Sequence, residues 1–226
     1  MNVGPDGRHG PHVIVGDVAR PEPADEDRHH LDRVLRVRAG DPVTVGDGAG
    51  NWRRCRWGRV IEPVGEIMSV AAPEPRLSVG FALIKGGRPE LVVQKLVELG
   101  VDDIRPFRAD RSVVRWDEER SAKNHGRLVR VAREAVMQCR RAWLPEVHPL
   151  VPLEEVAALP DVAQADFGGE PVGPEHRCIL VGPEGGWSDT ERALGLRRVA
   201  ISDAILRAET AAITAGVLLS AQRGRS

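Results

Sequence analysis

Residues 178–191 read CILVGPEGGWSDTE, and this stretch predicts the fold of the second half of the chain. Four apolar residues, 178–181, form a short strand, and residues 182–186 leave it as a loop rich in glycine and proline. Ser188 and Glu191 have the spacing of a capping box, which begins the next helix. Strand, loop and helix in this order are typical of an α/β protein, in which such loops bind ligands at the carboxyl ends of parallel strands.

The chemistry of this loop stays open at this point. Its three glycines allow a ligand to approach the backbone closely. The loop has neither the Gly-Lys-Ser/Thr ending of a P-loop nor the Gly-x-Gly-x-x-Gly of a dinucleotide-binding fold. An ordinary turn between a strand and a helix explains the same residues equally well.

Strands and helices alternate around this stretch, which predicts a parallel sheet. The run 77–84 is continuously apolar, as in a strand buried on both faces, and Gly100 follows a helix over residues 89–99. The remaining predictions are strands over 101–107, 163–167 and 199–201 and helices over 120–141 and 208–222.

Residues 11–72 predict a separate, small β-rich unit with one helix over 25–37. That helix is predicted to bury Leu31, Val34, Leu35 and Val37. Strands are predicted over 42–45, 52–61 and 66–71, with a tight turn over 47–51, as in a small barrel. Pro73 and Pro75 interrupt the pattern and predict two domains, residues 1–72 and 76–226.

Composition restricts the class of protein. The 226 residues are 42% hydrophobic and 29% charged with a mean hydropathy of -0.26, which predicts a globular, cytoplasmic chain without membrane spans. The N-terminus does not have the pattern of a secretory signal. Cys55, Cys139 and Cys178 are far apart and predict reduced packing residues, and the seven histidines show no metal-ligand spacing.

Positive charge is concentrated in the middle of the chain. Residues 105–141 contain 11 basic and 5 acidic side chains, although the whole chain has a net charge of -1. On the helix over 120–141 the arginines lie largely off the apolar stripe. Such a local positive field favours a polyanionic partner.

A second polar cluster stands at the start of the last helix, in residues 204–212, AILRAETAA. Polar side chains beside a buried helix are uncommon and require a physical explanation. Helix capping and a local ion pair explain Glu209 and Thr210, but they do not explain Arg207.

Five segments together resemble the RsmE family of SPOUT-class methyltransferases, which act on 16S ribosomal RNA. They are GPEGG at 182–186, ILRAETAA at 205–212, KLVELGV at 95–101, QCRR at 138–141 followed by Pro145-Glu146, and HLDRVLR at 30–36. The segments occur in the family's order and approximate spacing, so the resemblance covers nearly the whole chain.

The resemblance implies an α/β fold with a PUA-like β-barrel at residues 1–72 and a SPOUT domain with a deep trefoil knot at residues 76–226. It also implies a homodimer that uses S-adenosylmethionine, without a metal, to methylate N3 of a uridine in 16S rRNA of the small ribosomal subunit. Sequence rules alone predict an unknotted doubly wound sheet, because knots are rare.

The resemblance further implies roles for individual residues. Arg207 and Glu209 are the predicted catalytic pair, with Arg207 stabilising charge on the uracil oxygens and Glu209 either orienting Arg207 or accepting a proton. The predicted cofactor contacts are Gly182, Pro183, Glu184, Gly185, Gly186, Ile201, Ser202, Leu206 and Thr210. The predicted RNA contacts are Arg33, Arg36, Arg127, Arg130, Arg133, Arg140 and Arg141, which would bind phosphates. Trp52 and Trp57 offer base stacking, although core packing is the favoured interpretation for both.

One departure from the family pattern leaves other functions open. The final motif usually opens with Leu-Gly-x-Arg, whereas residues 201–204 read Ile-Ser-Asp-Ala. The loss of that arginine at Ala204 allows a catalytically silent RNA- or ribosome-binding relative as the alternative. A SPOUT enzyme acting on tRNA is a third possibility.

Overall fold

The computed structural model describes residues 4–85 and 88–223, and the chain divides into two compact units. The first unit contains the described residues up to Ala72 together with Arg133–Leu144. The second contains Pro73–Ala132 and the described residues from Pro145 onward. The division after Ala72 lies at the predicted boundary, but the assignment of residues 133–144 to the first unit was not predicted.

The first unit is built on a five-stranded sheet in the order β1-β2-β3-β4, with β5 also paired to β3. Strand β1 is parallel to β2, and the other pairings are antiparallel. The strands are β1 His12–Ile14, β2 Pro42–Gly46, β3 Asn51–Arg56, β4 Glu62–Pro63 and β5 Met68–Ser69. The predicted turn is confirmed, since the Asp47 carboxylate accepts hydrogen bonds from the backbone N–H groups of Ala49 and Asn51 at 2.7 and 3.0 Å.

The predicted first helix is shorter and differently buried than expected. Helix α1, Asp25–His29, continues into one π-helical turn, His30–Val34. Leu31 is buried as predicted, but Val34 and Leu35 are 63% and 51% exposed. The prediction for these two residues was wrong because it assumed 3.6 residues per turn, whereas the wider π turn rotates them away from the core.

Arg133 explains why residues 133–144 cluster with the first unit. Its guanidinium donates hydrogen bonds to both Asp27 carboxylate oxygens at 2.6 and 2.9 Å and to the Ile14 carbonyl at 2.9 Å. Trp143 adds a hydrogen bond from Nε1 to the Val70 carbonyl at 3.0 Å. These contacts involve residues far apart in the chain, so local periodicity could not indicate them.

The second unit is an all-parallel sheet in the order β12-β10-β11-β6-β7-β8, with β9 also paired to β7. Its strands are β6 Ser78–Ala82, β7 Asp103–Arg108, β8 Glu146–Val147, β9 Val151–Pro152, β10 Val162–Pro171, β11 Cys178–Val181 and β12 Arg197–Ala200. Every residue of β6 and β11 is buried, which confirms the continuous apolar runs as strands covered on both faces. The trefoil knot implied by the resemblance stays a prediction.

The helices of the second unit other than α4, which was not predicted, lie close to their predicted positions. The five helices are α2 Arg88–Glu98, α3 Glu118–Cys139, α4 Leu153–Ala157, α5 Asp189–Arg192 and α6 Ala208–Arg223. Helix α2 ends before Gly100, whose φ of 87° is the left-handed conformation expected after a helix. Helix α6 packs on α2 with Gly216 at the contact, where a Cβ would lie 2.7 Å from Leu96 Cδ2. No helix in the described ranges is long and apolar enough to cross a membrane.

The cysteines are free, as predicted. Cys55 and Cys178 are buried, and burial raises the pKa of each thiol to about 11, so both remain protonated and unreactive at neutral pH. They serve as small packing residues.

Asp103, at the start of β7, is the centre of a cluster of charged side chains in the second unit. Its carboxylate receives hydrogen bonds from Arg76 at 3.0 Å and lies 3.1 Å from His148 Nε2 and 3.5 Å from Arg105. Burial alone would raise the pKa of the Asp103 carboxyl, but the hydrogen bonds from His148 and Arg76 and the nearby arginine charges lower it to about 2. The folded state therefore favours the ionised carboxylate.

We expect Asp103 to make the free energy of unfolding depend on pH in the acidic range. Because its pKa is lower in the folded state than the ordinary value of 3.8, its stabilising contribution is present above pH 4 and is lost as the pH falls toward 2. The contribution is about 2 kcal/mol at most. Urea unfolding from pH 6 to pH 2 should show a smaller loss of stability for Asp103→Asn than for the wild type, whereas exposed Asp203→Asn should behave as the wild type. Equal losses for all three proteins would contradict this assignment.

Candidate functional site

The loop 182–186 leaves the sheet where two central strands end together. Strand β11 pairs in parallel with β6, with Val181 opposite Phe81, and β10 pairs with β11 on the other side. The carboxyl ends of these strands therefore lie at one edge of the sheet, which is the usual position of ligand sites in α/β folds.

Trp187, directly after the loop, is buried and contacts residues of three strands or their ends. Its ring stacks on Phe107 of β7 with a centroid distance of 6.0 Å, and its Nε1 donates to the Ala165 carbonyl of β10 at 2.9 Å. A Cβ at Gly182 would lie 2.9 Å from Trp187 Cε2, so only glycine fits after β11. The sequence reasoning did not single out Trp187, although an aromatic residue following Gly-Gly was a visible signal.

The capping box predicted from Ser188 and Glu191 is confirmed. Ser188 Oγ accepts from the Glu191 N–H at 3.1 Å, and Glu191 Oε2 accepts from the Ser188 N–H at 2.7 Å. Asp110, in the segment after β7, joins this cap, since its N–H donates to Glu191 Oε1 at 2.8 Å and its carboxylate accepts from Ser188 Oγ at 2.6 Å. The segment after β7 is thereby attached to the start of α5.

The backbone of the loop is exposed on one side and supported on the other. Gly186 has a φ of 68°, and a Cβ built there would meet no described atom within 4 Å. Arg111 donates to the Gly185 carbonyl at 3.2 Å, and a Cβ at Gly185 would lie 3.1 Å from Arg111 Cβ. Pro183 is buried, whereas Glu184 and Gly185 are exposed. The loop thus offers backbone groups to a ligand while Arg111 holds its position.

The second predicted cofactor segment, residues 201–207, forms an irregular loop between β12 and α6. Ile201, Ser202 and Leu206 are half-buried in it, and Ile205 is 88% exposed. Ser202 stands where the family usually has glycine, and its hydroxyl accepts from the Ala204 N–H at 3.0 Å. The Ser202 hydroxyl therefore accepts a hydrogen bond from within the loop itself.

At the start of α6 the predicted polar residues have different surroundings. Arg207 and Thr210 are exposed, while the Glu209 side chain is only 14% exposed. Glu209 Oε2 lies 3.5 Å from Arg88 Nη1, and the same nitrogen lies 3.8 Å from Glu184 Oε1. Arg88, which the sequence reasoning missed, therefore connects the loop 182–186 with the first turn of α6.

The seven predicted RNA-contacting arginines do not form one uniform set. Arg133 is held by Asp27 and Ile14, and Arg140 donates to the Asp6 and Gly10 carbonyls. Arg127 pairs with Glu90 at 2.9 Å, and Arg141 is half-buried. The other three are exposed and have no ion-pair partner within residues 4–85 and 88–223: Arg33, Arg36 and Arg130.

The two tryptophans considered for base stacking are both in the core of the first unit. Trp52 and Trp57 are 3% and 4% exposed, so the packing interpretation is confirmed. Trp57 also donates from Nε1 to Asp32 Oδ1 at 2.7 Å.

Comparison with known proteins identifies both parts of the chain. A family model described as an RNA methyltransferase domain matches residues 72–220, and one described as an RNA methyltransferase PUA domain matches residues 23–56. The ribosomal RNA small subunit methyltransferase E of Mycobacterium bovis is 32% identical over an alignment covering 84% of each chain. The enzyme of that name from Bacillus subtilis is 26% identical, covering 87% of this chain and 88% of its own.

Solved structures agree with these sequence matches. The Neisseria gonorrhoeae ribosomal RNA small subunit methyltransferase E bound to S-adenosyl methionine has a TM-score of 0.73 and 26% identity, covering 92% of this chain and 96% of its own. A Legionella pneumophila protein in complex with SAM has a TM-score of 0.78 and 28% identity, covering 93% and 96%. The chain therefore belongs to the RNA methyltransferase family that contains the ribosomal RNA small subunit methyltransferases E.

Proposed function

We propose that the chain is an S-adenosylmethionine-dependent methyltransferase that methylates N3 of a uridine in 16S rRNA of the small ribosomal subunit. The observation that carries the proposal is the glycine loop 182–186, open at Gly186 and connected through Arg88 to Glu209. The names of the relatives support the rRNA substrate, and the position of the methyl group follows from the family resemblance.

The residues present fit the cofactor. S-adenosylmethionine combines an adenosine, which takes backbone hydrogen bonds and apolar contacts, with a charged amino-acid end. The exposed backbone at Gly185, the open space beside Gly186 and half-buried Ile201 and Leu206 suit the adenosine, and Arg88 with Glu184 suits the charged end. We assign the cofactor contacts to loops 182–186 and 201–206 together with Thr210. When bound, the cofactor supplies a methyl group already activated on sulfonium.

The protein's own residues would position the base and stabilise developing charge. Arg207, exposed at the start of α6, stabilises negative charge on the uracil oxygens as N3 loses its proton. For Glu209 we propose the role of proton acceptor, because its described ion pair is with Arg88 and orientation of Arg207 would require a contact with Arg207 instead. Arg88 then holds the Glu209 carboxylate in place.

The RNA would be positioned mainly through its phosphates. Arg33, Arg36 and Arg130 are the exposed, unpaired members of the predicted set, and we assign the first contacts to them. Arg127, Arg133, Arg140 and Arg141 would contribute positive potential while held by the protein. A homodimer with a trefoil knot in each chain, working without a metal in the cytoplasm, completes the proposal.

Ala204 favours a second candidate, a catalytically silent protein that binds ribosomal RNA. The family usually has an arginine at this position, and the methyl group of Ala204 cannot replace its charge. Cofactor binding separates the two candidates, since a silent relative does not need it.

Calorimetric titration with S-adenosylhomocysteine tests the cofactor site. We expect the wild type to bind with a Kd in the micromolar range, about 8 kcal/mol of binding free energy. Gly185→Val should weaken binding by about 100-fold or more, because its side chain would contact Arg111 and cover the exposed backbone. Gly126→Val, at an open position on α3, is the matched control and should bind as the wild type does. Failure of the wild type to bind at millimolar ligand would leave the silent relative as the better account.

Methyl-transfer rates on small-subunit RNA test the catalytic pair. Arg207→Gln should lower kcat by about 100-fold or more while S-adenosylhomocysteine affinity changes little, because the lost charge acts on the transition state. Glu209→Gln should also lower kcat, because an amide cannot accept the N3 proton. A Glu209→Gln variant with an unchanged kcat would show that Glu209 is not the base.

A further inference from the structure

A cavity of about 400 Å³ lies in the second unit beside the end of β7. The segment after β7 forms one wall, α4 forms another, and α5 with Leu194 closes the third side. Leu83 and Leu153, each 3% exposed, provide an apolar floor. This volume is within the range of sites that hold a small molecule or a single nucleotide.

Several polar groups that line this cavity have no partner in the part of the chain that the structure describes. Ser112 is 9% exposed, and its Oγ is buried without a hydrogen bond. The guanidinium groups of Arg108 and Arg115 have no ion pair or hydrogen bond among the described residues. A buried hydroxyl without a partner costs free energy, so its presence in a cavity wall points to a ligand that satisfies it.

The combination of side chains fits a nucleotide. Trp116 is half-buried in the cavity wall and offers an indole face for a base, unlike Trp52, Trp57 and Trp187, which are in the core. Arg108 and Arg115 suit a phosphate. The Ser112 hydroxyl and the Glu154 carboxylate, also in the lining, can pair with the polar edge of a base.

The cavity lies beside the helix that follows the cofactor loop. Glu191, which lines the cavity, caps α5 directly after that loop, and Arg111 of the same segment as Trp116 donates to the Gly185 carbonyl at 3.2 Å. A polynucleotide reaching loop 182–186 thus passes close to the cavity. A free nucleotide would gain no affinity from this proximity. A nucleotide within a strand that is already bound at loop 182–186 would gain affinity from it.

We propose that this cavity binds one unpaired nucleotide of the RNA substrate next to the methylated uridine, with its base on Trp116 and its phosphate at Arg108 and Arg115. The proposal rests on the proposed function and adds to it a specificity site separate from the methyl-transfer centre. A strand in which the neighbouring nucleotide is unstacked would then be preferred over a continuous duplex.

Steady-state methylation with varied RNA tests the proposal. Trp116→Leu keeps an apolar surface but removes the stacking face, so KM for RNA should rise about tenfold while kcat stays within about twofold. Arg115→Gln should raise KM and reduce the slope of log Kd against log salt by about one. Arg197→Gln, an exposed arginine at the amino end of β12 and therefore at the opposite edge of the sheet, is the matched control and should change neither value.

Binding of S-adenosylhomocysteine and thermal unfolding should be unchanged in the variants, which separates loss of this site from loss of folding. Unchanged KM for RNA in both Trp116→Leu and Arg115→Gln, in an active enzyme, would overturn the proposal. Wild-type protein that transfers no methyl group would instead overturn the proposed function.

Indole fluorescence distinguishes a strand from a free nucleotide. A short single-stranded oligoribonucleotide should quench the wild type more than Trp116→Phe, and uridine monophosphate should show this difference only at about 100-fold higher concentration. If uridine monophosphate quenched the fluorescence at the same concentration as the oligoribonucleotide, the assignment to RNA would be overturned and a free-nucleotide site would be indicated.

Discussion

The buried indole of Trp187 is the contact on which the candidate site depends. It stacks on Phe107, donates to the Ala165 carbonyl and packs against Gly182, so one side chain connects β7, β10 and the end of β11. Burial of a large aromatic ring with its N–H satisfied supplies both hydrophobic stabilisation and a fixed orientation. The loop 182–186 lies between β11 and this residue, and its backbone is therefore positioned by the core and not by the ligand.

The parts of the fold that follow from local patterns were predictable. Continuous apolar runs in β6 and β11 indicated buried parallel strands, and Ser188 with Glu191 indicated the start of α5, because each signal involves residues close in the chain. The positions of Val34 and Leu35 were not predictable in this way, since the π turn changes the residues per turn. The placement of β12 next to β10 and the bridging role of Arg88 depend on contacts between distant segments, which periodicity does not contain.

The high local arginine content overstates the surface that is free to bind RNA. Many arginines in this chain are structural: Arg133 binds Asp27, Arg223 binds Asp102, and Arg76 binds Asp103. A guanidinium held in this way contributes to the field but cannot rearrange to meet a phosphate. Exposed arginines without partners, such as Arg130 and Arg115, are therefore better candidates for contacts with RNA than a high local arginine content alone.

The central claim is that loop 182–186 and the first turn of α6 together support the transfer of a methyl group to N3 of a uridine in small-subunit RNA. The most direct measurement is mass spectrometry of nucleosides from small-subunit RNA incubated with the protein and S-adenosylmethionine carrying an isotopically labelled methyl group. The account predicts labelled 3-methyluridine from 16S rRNA. A label on another atom or base, label only in transfer RNA, or no label in any RNA would contradict it.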